Sequence, residues 1–291
     1  MRIGSYFVMP LHEGTIVFDG GVSFGAVPRA AWSKIMPPDA NNCVLFGVTF
    51  FLVQGHGNNV LIDTGMGTKR SSRQEQEAGF GRVSTADELL ANAGVSRESI
   101  DIVVMTHLHY ASAGNLTYIN REGVLEPTFP KARVVIQKDE WEQGIHTNIR
   151  TRGLYEKEDF EPLLWHQQVE LVQGDTQLLP GFWCRVTGGH TKAHQIAVIE
   201  SGGEGAVFWG DLIPSTHHLH LNAISAHDLM PLDSMEKKAE WLTRAIDRSW
   251  VNFFFRDSAV AAAQISGDGM RLSSLECEIL LSHDGSEEPA E

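Results

Sequence analysis

Apolar residues in this chain fall into short dense runs broken by polar turns, with a few stretches at helical spacing. Residues 44–53 are apolar and β-branched. Gly55-His56-Gly57-Asn58-Asn59 then turns the chain, and 60–63 returns as a second strand, a hairpin by its punctuation. Buried strands are also predicted at 100–105, 133–136 and 251–255. Strands at 169–172 and 182–186 flank a Gly174-Asp175 turn and Pro180-Gly181, and 196–199 pairs with 206–209 around Ser201-Gly202-Gly203. Helical spacing predicts 85–93, stopped by Gly94, and 138–143. The strongest helix is 233–249, with Met235, Ala239, Leu242 and Ile246 on one face. Residues 153–165 are charged and aromatic without a clean period and read as a surface helix plus loop. Two clusters of short strands with helices between them predict an α+β fold, two sheets sandwiched between outer helices. No internal repeat or low-complexity linker appears. One domain over 1–291 is the expectation, with a frayed acidic tail from 285 to 291.

Composition narrows the partners more than the fold. The formal charge of −14 opposes nucleic acid, whose phosphates need clustered Lys and Arg. It leaves a small-molecule substrate open, and a homodimer too. Cys43, Cys184 and Cys277 are far apart and form no CxxC, so neither a disulfide framework nor a thiolate zinc site is expected. The first residues lack the apolar core of a signal peptide, and no apolar run approaches the ~18 residues of a membrane span. A cytoplasmic protein without a membrane partner is the expectation.

The candidate chemistry begins at Thr106-His107-Leu108-His109-Tyr110-Ala111-Ser112, where the strand at 100–105 ends. Two histidines one residue apart at a strand end can turn their imidazoles toward one metal ion. Such a pair among 13 histidines is weak evidence by itself. Two further elements strengthen it. Thr187-Gly188-Gly189-His190 follows a strand, and its glycines permit the turn that aims His190 back. Trp209-Gly210-Asp211 places an acid at the end of another apolar strand, where an unpaired carboxylate is costly. Zinc takes imidazole and carboxylate ligands, with three protein ligands and a water at catalytic sites. His107, His109, His190 and Asp211 therefore form the candidate metal set. His220 and His227, in the stretch after Asp211, are candidate acid/base groups or replacement ligands, with exposed loop residues the alternative for each. Tyr110 is a candidate oxyanion donor or a packing residue. His194 is expected to orient the His190 loop, and His56 and His146 to lie on the surface. Phe24, Trp32 and Phe46 read as core, in part as a substrate mouth.

These segments resemble the metallo-β-lactamase superfamily, whose motif at this point reads His-x-His-x-Asp-His. Leu61-Ile62-Asp63-Thr64-Gly65, Gly210-Asp211-Leu212-Ile213-Pro214 and Pro127-Thr128-Phe129-Pro130 are similar to its lactonase-like branch. The resemblance implies a four-layer αβ/βα sandwich and metal-dependent hydrolysis. It sets His107, His109 and His190 on the first metal, Asp211 between two metals, and Asp63 behind the ligands. The second metal's pattern is broken: its Asp and His are Ala111 and Ser112, and Arg256 stands where the final His is expected, with His283 the rival for that position. The resulting expectation is one zinc per chain, whose bound water attacks an ester, lactone or amide. Arg256 would pair with Asp211 where the second ion is missing. The alternative is a catalytically reduced homologue that binds a ligand or partner.

Overall fold

The computed structural model describes residues 1–266 and the backbone of residues 272–274. His283, Cys277 and the tail at 285–291 lie outside the described residues. In chain order the strands are β1 (Arg2–Ile3), β2 (Tyr6–Asp19), β3 (Cys43–Gly55), β4 (Asn58–Ile62), β5 (Phe80–Arg82), β6 (Ile102–Val104), β7 (Thr117–Ile119), β8 (Leu125–Pro127), β9 (Arg133–Gln137) and β10 (Val169–Val172). They are followed by β11 (Thr176–Leu179), β12 (Phe182–Val186), β13 (Gln195–Ser201), β14 (Glu204–Phe208), β15 (Val251–Phe253), β16 (Ala262–Ile265) and β17 (Leu272–Ser274). One sheet runs β1-β2-β3-β4-β6-β9-β10 with β5 on β2. A second runs from β11 to β17 in sequence order, and β7 with β8 is a separate hairpin.

The apolar runs are continuous because both faces of their strands are buried. In β3, Phe50 and Leu52 pack outward with Leu89, Leu90 and Trp141, while Phe51 and Val53 point at the other sheet. In β13, Ala197 and Ile199 face the first sheet, and Ile196 and Val198 face Trp241 and Ala245 of the Pro231–Asp247 helix. Helix, sheet, sheet and helix thus form four layers. Between the sheets the Phe51 ring meets Phe208, Phe253 and Phe255 edge-on, at centroid distances of 5.4, 5.3 and 4.8 Å. Burying each such ring stabilises by roughly 1.5–3 kcal/mol.

The Ala86–Asn92 helix starts as its sequence predicts, with Thr85 and Glu88 forming a capping box. Three other elements differ from expectation. The long helix buries Ser234, Lys238, Trp241 and Ala245, with Met235 38% exposed and Leu242 and Ile246 half-buried. Its inward face therefore lies one position back from the apolar stripe. The reason is that two polar residues are buried for their bonds: Lys238 Nζ donates to the carbonyls of His220 and Ala223, and Ser234 Oγ donates to Asp228. Residues 153–165 are only in part a surface segment: Gly153, Glu156, Lys157, Glu158, Leu164 and Trp165 are exposed, while Tyr155, Asp159, Phe160 and Leu163 are buried. Phe160 packs edge-on against Trp141 at 5.3 Å, which hydrophobic periodicity could not register over so short a helix. Strand β2 is absent from the hydropathy reading because Pro10, His12, Glu13 and Gly14 interrupt it. Glu13 is nonetheless fully buried, accepting from the backbone of Met66 and Gly67, from Asn115 Nδ2 and from Arg82. Among the described residues no helix is long and apolar enough to cross a membrane.

Candidate active site

Parallel pairing of β4 with β6, β6 with β9, and β14 with β15 brings several carboxyl ends to one edge of the sandwich. Asp63 follows β4, His107 and His109 follow β6, and Glu140 sits in the first turn of the Lys138–Ile145 helix after β9. His190 follows β12, Asp211 follows β14 and Arg256 follows β15. Ligands gather outside the carboxyl ends of strands in sheets of this kind. Two glycines are required for the convergence. Gly189 has φ +84°, and a Cβ there would lie 2.3 Å from Ser234 Oγ; Gly210 has φ +55°, and a Cβ would meet His194 Nε2 at 2.6 Å.

His107, His109 and His190 bring one ring nitrogen each into a group within 4.8 Å, all three side chains buried. Their hydrogen bonds select the ring atoms. Thr106 Oγ1 lies 2.8 Å from Asp63 Oδ2 and 2.8 Å from His107 Nδ1. The hydroxyl donates its proton to the carboxylate and accepts from Nδ1–H, so Nε2 of His107 carries a lone pair. That atom is buried and has no hydrogen-bond partner. Asp63 itself is pushed up to about 6 by burial, with His107 and Thr106 opposing the shift. His190 donates from Nδ1 to Asp228 Oδ1 at 2.8 Å, which leaves its Nε2 3.2 Å from His109 Nδ1. Burial disfavours the His190 imidazolium, yet Asp228 outweighs burial and raises its pKa; His109 lacks such a carboxylate and is held well below the usual range, by burial first. An orphaned lone pair among converging imidazole nitrogens fits a cation such as zinc.

The other side of Asp211 is filled by the chain itself. Arg256, 5% exposed, donates from Nε to Asp211 Oδ1 at 3.1 Å, from Nη1 to the Ala111 carbonyl at 3.0 Å and from Nη2 to Ser112 Oγ at 2.7 Å. The other carboxylate oxygen, Oδ2, stands 3.5 Å from His107 Nε2 and 3.7 Å from His190 Nε2. Burial opposes the charge on Asp211, but the Arg256 guanidinium outweighs it and holds this carboxyl well below its usual range. His194 lies behind, with Nδ1 2.7 Å from Thr187 Oγ1 and Nε2 accepting from the Asp211 backbone N–H at 3.2 Å.

A cleft opens over these groups. Its wall is largely apolar, with Phe18, Phe46, Leu154 and Pro214, and Tyr110 and His227 also line it. Burial lowers the His227 imidazole and raises the Tyr110 hydroxyl. His218 lines the cleft too, stacked on Phe24 at 4.7 Å and bonded to Ser215 and Ser23; burial lowers it to about 3. His220 is exposed and outside the cleft lining, because its carbonyl is turned inward to Lys238. His56 and His146 are exposed, and Phe24 and Trp32 stack in the core. Sequence reasoning missed Asp228, Thr106, Glu140 and Tyr155. The available signals were a Thr directly before His107 and acids near loop turns, and neither is specific.

Comparison with known proteins agrees with this geometry. The sequence model for the metallo-beta-lactamase superfamily matches residues 44–249. The fold is similar to that of a probable metal-dependent hydrolase from Staphylococcus aureus, with TM-score 0.87 and 31% identity, covering 94% of this chain and 97% of that one. It also resembles AidC, a dizinc quorum-quenching lactonase, with TM-score 0.75 and 18% identity over 94% and 95% of the two chains, a likeness of fold alone. Among curated proteins, the N-acyl homoserine lactonase AiiA of Bacillus thuringiensis subsp. kurstaki is 23% identical over 167 residues, 54% of this chain and 60% of that protein. The match thus spans somewhat less than two thirds of the lactonase's length.

Proposed function

The chain belongs to the metallo-β-lactamase superfamily, and on that premise we propose that it is a metal-dependent hydrolase of esters, lactones or amides that works with one cation and one guanidinium. The observation carrying this reading is the asymmetry about Asp211: an unpartnered buried Nε2 on His107 to one side, and Arg256 to the other. His107 Nε2, His109 Nδ1 and His190 Nε2 would hold the cation. When bound, it would lower the pKa of a water and polarise a carbonyl.

The chain's own groups take the remaining roles. Asp211 Oδ2 faces the histidine nitrogens and can accept a hydrogen bond from the attacking water. Its depressed pKa makes it an orienting acceptor and a weak base. Arg256 carries a fixed positive charge at the cleft floor and can stabilise an oxyanion forming on the substrate carbonyl. His227 is lowered and so neutral at pH 7, a proton acceptor on the cleft wall; Tyr110, raised, keeps its proton and is a donor there. Exposed His220 is given no part in the reaction.

Charge supports the same reading. Relative to the two-cation pattern that the resemblance implies, losing one divalent ion removes two positive charges. Arg256 restores one, and Ala111 in place of Asp removes one negative charge. The net charge around Asp211 is conserved, so three apparent defects form one consistent replacement.

The test is metal content and hydrolysis in protein purified without chelator. About one zinc or similar ion per chain is expected. Its removal should abolish turnover on a panel of aryl esters and N-acyl homoserine lactones, the class named for the Bacillus relatives. A chain that retains no ion, and hydrolyses nothing when zinc or manganese is supplied, would instead be the ligand-binding homologue.

A further inference from the structure

One buried carboxylate beneath the histidines joins parts of the chain that are distant in sequence. Glu140 is 1% exposed. Its Oε1 accepts from the backbone N–H of Leu108, the residue between His107 and His109, at 2.9 Å, and from the Tyr155 hydroxyl at 2.9 Å. Its Oε2 accepts from the hydroxyl of Thr191, next to His190. The Tyr155 ring in turn stands edge-on to His109, centroids 4.8 Å apart at 81°. Gln143, one turn along the same helix, repeats the pattern: Nε2 donates to the Tyr155 hydroxyl at 2.7 Å and Oε1 accepts from Lys192 N at 3.1 Å.

We propose that Glu140 is the positioning residue of this site, setting the spacing of His107, His109 and His190 by tying the His-Leu-His loop, the Gly-Gly-His loop and Tyr155 to one helix turn. The proposal rests on the reading that these histidines hold a cation. Three loops meet at this point, and each would otherwise settle by its own backbone preferences. A shared charged acceptor with three donors fixes their relative positions far more tightly than apolar packing can, because hydrogen bonds to a carboxylate are short and directional. Burial, and then Glu140, push the Tyr155 hydroxyl upward, so it remains a donor at any working pH. The consequence lies on the ligands and not on the chemistry. Without Glu140 the imidazoles would still be present, with their nitrogens at the wrong separation.

The experiment uses Co²⁺ as probe, followed by its visible absorption and by chelator competition, with thermal unfolding measured in parallel on the metal-free protein. Glu140→Gln keeps the shape, removes the charge and turns one acceptor into a donor. Its cobalt affinity should fall about 10–100-fold, with an altered absorption band. Thr191→Val removes a single arm and should give a smaller loss in the same direction, which keeps the test open if Glu140→Gln does not fold. Glu140→Asp should recover part of the affinity. Affinity and band unchanged in a folded Glu140→Gln or Thr191→Val, with only the melting temperature lowered, would make Glu140 a purely structural residue and overturn the proposal. Failure of the unaltered protein to bind cobalt would overturn the metal reading itself, a result distinguishable from the first.

Discussion

On one side of Asp211, three imidazoles converge with a lone pair left over; on the other, a guanidinium donates to a carboxylate, a backbone carbonyl and a serine hydroxyl within 3.1 Å. The two sides share one acid and differ in what completes them. The histidine side is backed by carboxylates that orient its rings, Asp63 through Thr106 and Asp228 directly. These bonds leave the remaining ring nitrogens turned toward one another, with His107 Nε2 lacking a hydrogen-bond partner. The arginine side is satisfied from within. The chain thus supplies its own positive charge on one side of Asp211 and leaves His107 Nε2 unpartnered on the other.

The largest expected effect comes from breaking the satisfied side. Arg256→Leu leaves the mostly buried Asp211 carboxylate without its partner and should lower the unfolding free energy of the metal-free protein by about 3–5 kcal/mol, as for other broken buried pairs. Arg256→Lys should restore part of it. A loss below about 1 kcal/mol in urea unfolding would mean that the pair behaves like a surface salt bridge. Next in size, the triple change Ala111→Asp, Ser112→His and Arg256→His should convert the second side into the first kind and raise bound metal from about one to about two ions per chain. Ala111→Asp alone should not, since Arg256 still fills the space. A triple variant holding no more metal than the parent would show that the guanidinium is not what excludes the second ion.

The smallest effect concerns the cleft wall. His218 is lowered to about 3 from an ordinary value near 6.5. The folded state thus binds fewer protons than the unfolded state between those values. Its contribution is complete above the ordinary value and is lost as pH falls toward 3, with a slope of at most about 1.4 kcal/mol per pH unit. His218→Gln can keep both hydrogen bonds without titrating. Its stability should fall less steeply in urea unfolding between about pH 6 and pH 4. Identical slopes for the two proteins would place the acid sensitivity elsewhere.

Much of this comparison was legible in the chain. The His107-Leu108-His109 pair, Gly188-Gly189-His190, Asp211 and Arg256 all stand at strand ends, and the strands announce themselves as apolar runs. The supports were not legible. Asp228 lies 38 positions from the histidine it orients, and Glu140 lies 32 from Leu108. Nothing local distinguishes them from other acids on the chain. Tyr155 sat in a stretch read as surface because its period was unclear. His220 was a reasonable candidate by proximity to Asp211, yet the loop that carries it turns its carbonyl, and not its ring, toward the interior.

The sequence by itself determined most of the layered architecture, because most residues buried on both faces of a strand are apolar and that record is local; β2, with its buried Glu13, escaped it. It also carries ligand-type side chains at 107, 109, 190 and 211, and none at 111, 112 and 256. Only the tertiary structure decided which ring nitrogen each histidine turns inward, and that Arg256 reaches Asp211, Ala111 and Ser112 together. Those outcomes depend on hydrogen bonds spanning up to 145 residues. Side-chain direction is set by where the partner arrives in space, and no window of neighbouring residues contains that information.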